Sequence, residues 1–130
     1  MTLILDTSIL IGIERGNRDI INRLEELSRQ HMESQVISFI TYYEFYRGIA
    51  KNKPSKMSEA LTFLNKFTCL ETTTKTARIL ATLDIAYREK GKPMLLADLI
   101  IASQTLEHQV VLVTADKDFA AIEEIEKVII

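Results

Sequence analysis

Four carboxylates stand where a soluble chain would ordinarily place something else. Asp6 closes the strand-like run LILD and is followed by Thr7 and Ser8. Asp98 is the one polar residue in MLLADLIIA, residues 94–102. Asp116 follows the apolar run VVLV and the pair Thr114-Ala115, and Glu44 sits inside TYYEFY. A carboxylate left unpaired in apolar surroundings costs several kcal/mol, so each of these needs a donor, a proton or a cation. Two carboxylates about 4 Å apart repel by roughly 4 kcal/mol at an effective dielectric of about 20. Four acids gathered at one place therefore persist by binding protons or cations. A ligand set made only of oxygen suits Mg2+ or Mn2+ and does not suit zinc, copper or iron.

Asp98 and Glu44 also have plainer readings. Asp98 falls near a helix start, where an acid meets the positive end of the helix dipole. Glu44 completes a capping box with Thr41, or pairs with Arg47 at i+3; Gly48 at i+4 leaves space beside it. His31 and His108 lack ligand spacing. The chain has no Cys-rich zinc pattern, P-loop, dinucleotide fingerprint or Gly-x-Ser-x-Gly elbow.

The elements that must position these residues follow from periodicity. Strands are expected at Thr2 to Leu5, Val36 to Ser38, Thr68 to Glu71, Val110 to Val113 and Val128 to Ile130. Helices are expected at Ser8 to Glu14 and Asp19 to Met32, broken at Gly16-Asn17. Further helices run from Ile40 to Ala50, over a polar loop Lys51 to Ser55, and from Lys56 to Phe67 with Met57, Ala60, Leu61, Leu64 and Phe67 on one face. Thr72 to Thr74 offer N-cap hydroxyls for a helix carrying Ala77, Leu80, Leu83 and Tyr87, which stops at Gly91. Leu95 to His108 is helical, with Asp98 sharing a face with Leu95, Ile101 and Ala102, and a short helix is expected near Phe119. Short apolar strands alternating with helices predict an α/β fold, a single domain over residues 1–130 with a central parallel sheet of about five strands and helices on both faces. Ligands bind such sheets beyond the carboxyl ends of the strands. If the first and fourth strands are central and parallel, Asp6 and Asp116 end at the same edge.

Composition narrows the function class. With 130 residues, 47% hydrophobic and 26% charged, the chain suits one core. A net charge of −2 gives no global pull towards nucleic acid or anionic lipid, so any such binding needs a local basic patch or metal ions. The single cysteine, Cys69, excludes an internal disulfide and fits a cytoplasmic location. The longest charge-free run, Ser34 to Tyr43, has ten residues against the roughly 18 of a membrane span, and the N-terminus lacks the basic region of a signal peptide.

These stretches resemble the motifs of a PIN domain, and within that family a VapC-type toxin ribonuclease of a toxin–antitoxin pair. LILDTSIL, with Asp6-Thr7-Ser8, resembles the first motif; ISFITYYEFYRG, with Glu44, the second; ADLIIASQTLEHQ, with Asp98, the third; and LVTADKDF, with Thr114, Asp116 and Asp118, the fourth. The resemblance spans nearly the whole chain. It implies Mg2+- or Mn2+-dependent hydrolysis of RNA phosphodiesters, with Asp6, Asp98 and Asp116 as metal ligands and Glu44 orienting the attacking water or acting as general base. Ser8, Thr114 and Asp118 would support them, and either Asp116 or Asp118 serves as the fourth acid, Asp116 being nearer the strand end. It also implies a small antitoxin partner and a homodimer, with no membrane association.

Arg47, Lys51, Lys53 and Lys56 follow Glu44, and Arg15 and Arg18 flank the first helices; such residues could hold RNA phosphates or simply line a solvated loop. Tyr42, Tyr43, Phe45 and Tyr46 suit a core or a dimer surface better than base stacking. Two other functions compete. A haloacid-dehalogenase-like phosphohydrolase would use Asp6 as nucleophile, but favours a second Asp at the position of Ser8. A non-catalytic, metal-dependent RNA-binding module would keep the acids without turning over substrate.

Overall fold

The structure is a computed structural model and describes residues 2–30 and 35–130. Five parallel strands, β1 (Leu3–Leu5), β2 (Gln35–Ser38), β3 (Thr68–Leu70), β4 (Val111–Thr114) and β5 (Lys127–Ile129), form one sheet in the order β3-β2-β1-β4-β5. Six helices connect and cover them: α1 (Thr7–Glu14), α2 (Arg18–Gln30), α3 (Phe39–Asn52), α4 (Met57–Leu64), α5 (Thr74–Glu89) and α6 (Leu96–His108). The expected α/β class, strand number and strand direction are all present.

The sheet alternates as a two-faced layer must. Leu3, Leu5, Ile37, Val111 and Val113 enter one core with Ile9, Leu10, Leu24, Phe45 and Leu64 from α1 to α4. Ile4, Val36 and Leu112 enter the other with Leu83, Tyr87, Leu99 and Ala102 from α5 and α6. Successive strand side chains point to opposite faces, so a three-residue strand buried on both sides is apolar throughout. β1 pairs with β2 on one side (Ile4 opposite Val36) and with β4 on the other (Ile4 opposite Leu112). The chain leaves β1 in one direction and returns beside it from the other, which opens a crevice at the carboxyl ends of β1 and β4.

Element ends shift in informative ways. α3 runs on to Asn52, taking the first two residues of the expected loop, and Pro54–Lys56 form a 3-10 turn. β4 begins at Val111 and β5 at Lys127, one residue from expectation. α5 begins at the cap Thr73. It ends with Gly91 at φ 70°, while the Lys92 amide donates to the Tyr87 carbonyl at 2.9 Å, a closure that needs a residue free to adopt positive φ. The expected end of α2 at Met32, and His31, lie outside the described residues. Cys69 is half-buried and a free thiol, and burial followed by the Glu71 charge pushes its pKa up, away from nucleophilic use.

Candidate active site

Asp6 ends β1 and at once serves as the N-cap of α1, with φ −87° and ψ 177° and its Oδ1 accepting the Ile9 amide at 3.3 Å. That local role accounts for a strand ending on an acid. The rest of its environment exceeds what a cap requires. The Ser8 hydroxyl donates to Oδ1 at 2.5 Å, and the Thr114 hydroxyl, from the end of β4, donates to Oδ2 at 2.6 Å. Each hydroxyl in turn accepts a backbone amide from the loop after β4: Ala115 to Ser8 and Asp116 to Thr114, both at 2.9 Å. Asp6 is 4% exposed. Burial raises its pKa, the donors from Ser8, Thr114 and Ile9 pull it back down, and the Asp116 charge adds a further upward push.

Glu44 reaches the same crevice from α3. The cap of α3 is Ser38, whose hydroxyl accepts the Ile40 amide at 3.2 Å. The expected capping box at Thr41 is therefore absent: the helix has already begun at Phe39, and Thr41 is buried inside it. Glu44 instead accepts the Thr7 hydroxyl at 2.6 Å. Among the described residues Arg47 forms no ion pair with it, and the space beside Gly48 is open as expected.

Asp98 lies in the first turn of α6, half-buried. Ile101 and Ala102 on its face are buried, but Leu95 is not: it precedes the helix as N-cap, extended and 71% exposed. Burial, then the charges of Asp116, Glu44, Asp118 and Asp6 in that order, raise the Asp98 pKa to about 6. Every acid named from the sequence thus acts on this carboxyl. Asp116 is half-buried and caps a 3-10 helix, Lys117–Ala121, its Oδ1 accepting the Asp118 amide at 2.9 Å, whereas Asp118 is exposed. Of the two, Asp116 is nearer the buried edge. Among the described residues no three His, Cys, Asp or Glu side chains converge tightly enough to enclose a metal ion unaided. Asp6, Asp98 and Asp116 supply the donors that could share one with water.

The model of the family described as PIN domain matches residues 3–125. The chain belongs to the PIN domain family. No curated protein gives a significant match to the sequence. The fold of this PIN domain is shared with solved VapBC structures. VapBC2 from Rickettsia felis, bound to a DNA fragment from their promoter, superposes with a TM-score of 0.86 at 25% identity, covering 100% of this chain and 99% of that one. VapBC-1 from nontypeable Haemophilus influenzae gives 0.84 at 25% identity, covering 99% and 98%. A toxin–antitoxin complex from Klebsiella pneumoniae gives 0.77 at 27% identity, covering 93% and 92%.

The basic residues are distributed unevenly around this PIN domain's crevice. Arg47 is one turn from Glu44. Lys51 lies about 10 Å from Glu44 along α3 at 1.5 Å rise per residue, and Lys53, just past the end of the helix, pairs with Glu14 at 3.2 Å. Phe45 is core, while Tyr43 and Tyr46 are 53% and 41% exposed, with Tyr46 stacked on Tyr42 at 6.3 Å. Thr7 is a support for the acids that sequence reasoning does not single out. Its neighbour Asp6 marks the place, but its partner is 37 positions away.

Proposed function

We propose that this PIN domain, as one unit over residues 1–130, is a divalent-metal-dependent endoribonuclease and the toxin of a type II toxin–antitoxin pair acting in the cytoplasm. The observation that carries the reading is the arrangement of acids at one sheet edge: Asp6 ends β1 with its oxygens held by Ser8 and Thr114, Asp116 follows the neighbouring β4, and Asp98 stands half-buried close enough for their charges, with that of Glu44, to raise its pKa. An all-oxygen set holding excess negative charge at a sheet crevice fits Mg2+ or Mn2+. Asp6, Asp98 and Asp116 would hold the ion, which when bound supplies positive charge against the phosphodiester transition state and activates water. The chain's own residues do the rest. Ser8 and Thr114 fix both oxygens of Asp6, so its rotamer is set before substrate arrives. Thr7 holds Glu44, whose carboxylate takes the proton of the attacking water. Asp118, more exposed, gives its backbone amide to Asp116 Oδ1 and adds its charge beside Asp98.

Attack by Asp6 itself, as a phosphohydrolase would require, is disfavoured because the place of that chemistry's second acid is taken by Ser8, whose hydroxyl donates to Asp6 Oδ1. Partnership with a small antitoxin is supported by the VapBC complexes among the structural neighbours. A homodimer is supported by the exposed aromatic surface of Phe39, Tyr43 and Tyr46 on α3. No helix among the described residues is long and apolar enough to cross a membrane. The test is cleavage of single-stranded and structured RNA, beside a phosphomonoester, in EDTA, Mg2+ and Mn2+. RNA cleavage only with metal is expected. Full activity after exhaustive chelation, or turnover of the phosphomonoester alone, overturns the reading.

A further inference from the structure

A groove of about 480 Å3 runs along the side of the acid cluster, with Met94 and Leu95 on one wall, Lys117 and Ala121 on the other, and Asp98 and Asp118 where it meets the acids. We infer that this groove is a subsite for one unpaired nucleotide of the RNA, next to the bond that is cut. The inference rests on the nuclease reading and specifies which part of the substrate the groove takes.

Size, rigidity and charge all bear on the occupant. The volume falls in the roughly 300–1,000 Å3 range of small-ligand sites. The Lys117 wall is fixed from below: Phe119 is 1% exposed, and the Tyr87 hydroxyl, which donates to Glu124 at 2.5 Å with the Ala121 carbonyl also within 3.1 Å, accepts the Glu123 amide at 3.2 Å. The opposite wall ends in Leu95, extended and 71% exposed, with Leu96 beside it at 64%. Lys117 forms no ion pair with any described residue. The occupant must therefore lay an apolar face on Met94 and Leu95, bring an anion to Lys117, and belong to a chain that continues to Asp98. An unpaired nucleotide does all three. Its base packs on the aliphatic wall, where a thioether against an aromatic ring is favourable; its phosphate meets the ammonium; its neighbouring phosphate lies at the acids. In a stacked duplex the base face is already covered.

The experiment compares the parent, Leu95→Glu and Lys117→Gln in Mn2+. The substrates are single-stranded oligoribonucleotides randomised on either side of the cut, with sedimentation and thermal melts run in parallel. Both side chains are exposed, so both variants should melt with the parent. Leu95→Glu is expected to raise KM at least tenfold with kcat within about threefold, and to flatten base preference at one position beside the cut. Lys117→Gln is expected to raise KM about threefold and to reduce its salt dependence. If the parent cleaves and both variants keep its KM and preference, the subsite is wrong and the nuclease reading stands. If Leu95→Glu turns a dimer into a monomer with preference unchanged, the groove belongs to a second copy and the inference is overturned. If the parent cleaves no RNA in Mn2+, the nuclease reading fails and takes the subsite with it.

Discussion

Replacing Asp98 by Asn tests the acid cluster through stability before any substrate is added. In the folded protein the Asp98 pKa rises from 3.8 to about 6. At about 1.36 kcal/mol per unit, that shift corresponds to ~3 kcal/mol if solvent did not intervene. The carboxyl is only half-buried, so screening reduces the figure to about 1 kcal/mol. A carboxyl whose pKa is raised by folding contributes stability below its unfolded value, and that contribution is lost as pH climbs through about 6. The side-chain amide of the Asp98→Asn variant does not titrate. In EDTA the parent should therefore lose about 1 kcal/mol relative to Asp98→Asn between pH 4 and pH 8, or roughly 4 °C in Tm for a chain of this size. The helix-dipole gain of a first-turn acid pulls the other way and would leave the variant the weaker protein at neutral pH. Metal extends the test: a ligand at about 100 times its Kd stabilises by roughly 2.7 kcal/mol, which the parent should show with Mg2+ or Mn2+ and the variant should largely lose. Parallel pH–stability curves would refute the crowded-acid argument. An equal metal-induced rise in both proteins would remove Asp98 from the ligand set.

Changes at four further residues have expected outcomes. Thr7→Val should lower kcat on RNA with KM and Tm nearly unchanged, because it frees Glu44, and Thr7→Ser should restore the rate. Thr114→Val strips a donor from Asp6 and an acceptor from the Asp116 amide; with both left unpaired, urea midpoints should report about 2–4 kcal/mol of lost stability at constant m-value. Arg47→Ala should weaken RNA binding and reduce its salt slope by about one, measured by anisotropy with the cleavage-deficient Asp98→Asn protein. Lys53→Ala should do less, since its ammonium is already shared with Glu14.

The strands are legible in the sequence because burial on both faces leaves short apolar runs, as at Leu3–Leu5 and Val111–Thr114, flanked by helical periodicity. Asp98 stands out because one acid in MLLADLIIA contradicts its neighbours. What the sequence hides depends on where an element begins. Thr41 to Glu44 has a capping-box pattern, but Ser38 starts the helix three residues earlier, so the pattern has no free amides to serve. Helical spacing puts Leu95 on the face of Asp98, but Leu95 lies one residue outside α6 and takes an extended conformation, so that spacing does not apply to it. Thr7 and Lys117 escape sequence reasoning for another reason. The first depends on a residue 37 positions away on α3, and the second is overshadowed by the two acids on either side of it.

The sheet order also sets when the acids first meet during synthesis. Asp6 and Asp116 come from adjacent strand ends but are 110 positions apart in the chain. At roughly 5–20 residues per second, the ribosome takes about 6–22 s to make the second after the first. Until then Asp6 lacks the Thr114 hydroxyl, and the loop that feeds amides to Ser8 and Thr114 does not exist. A nascent, stalled or prematurely terminated chain that stops short of residue 116 carries at most part of the cluster. On the proposed nuclease reading, such a chain has no complete set of acids and should cut no RNA.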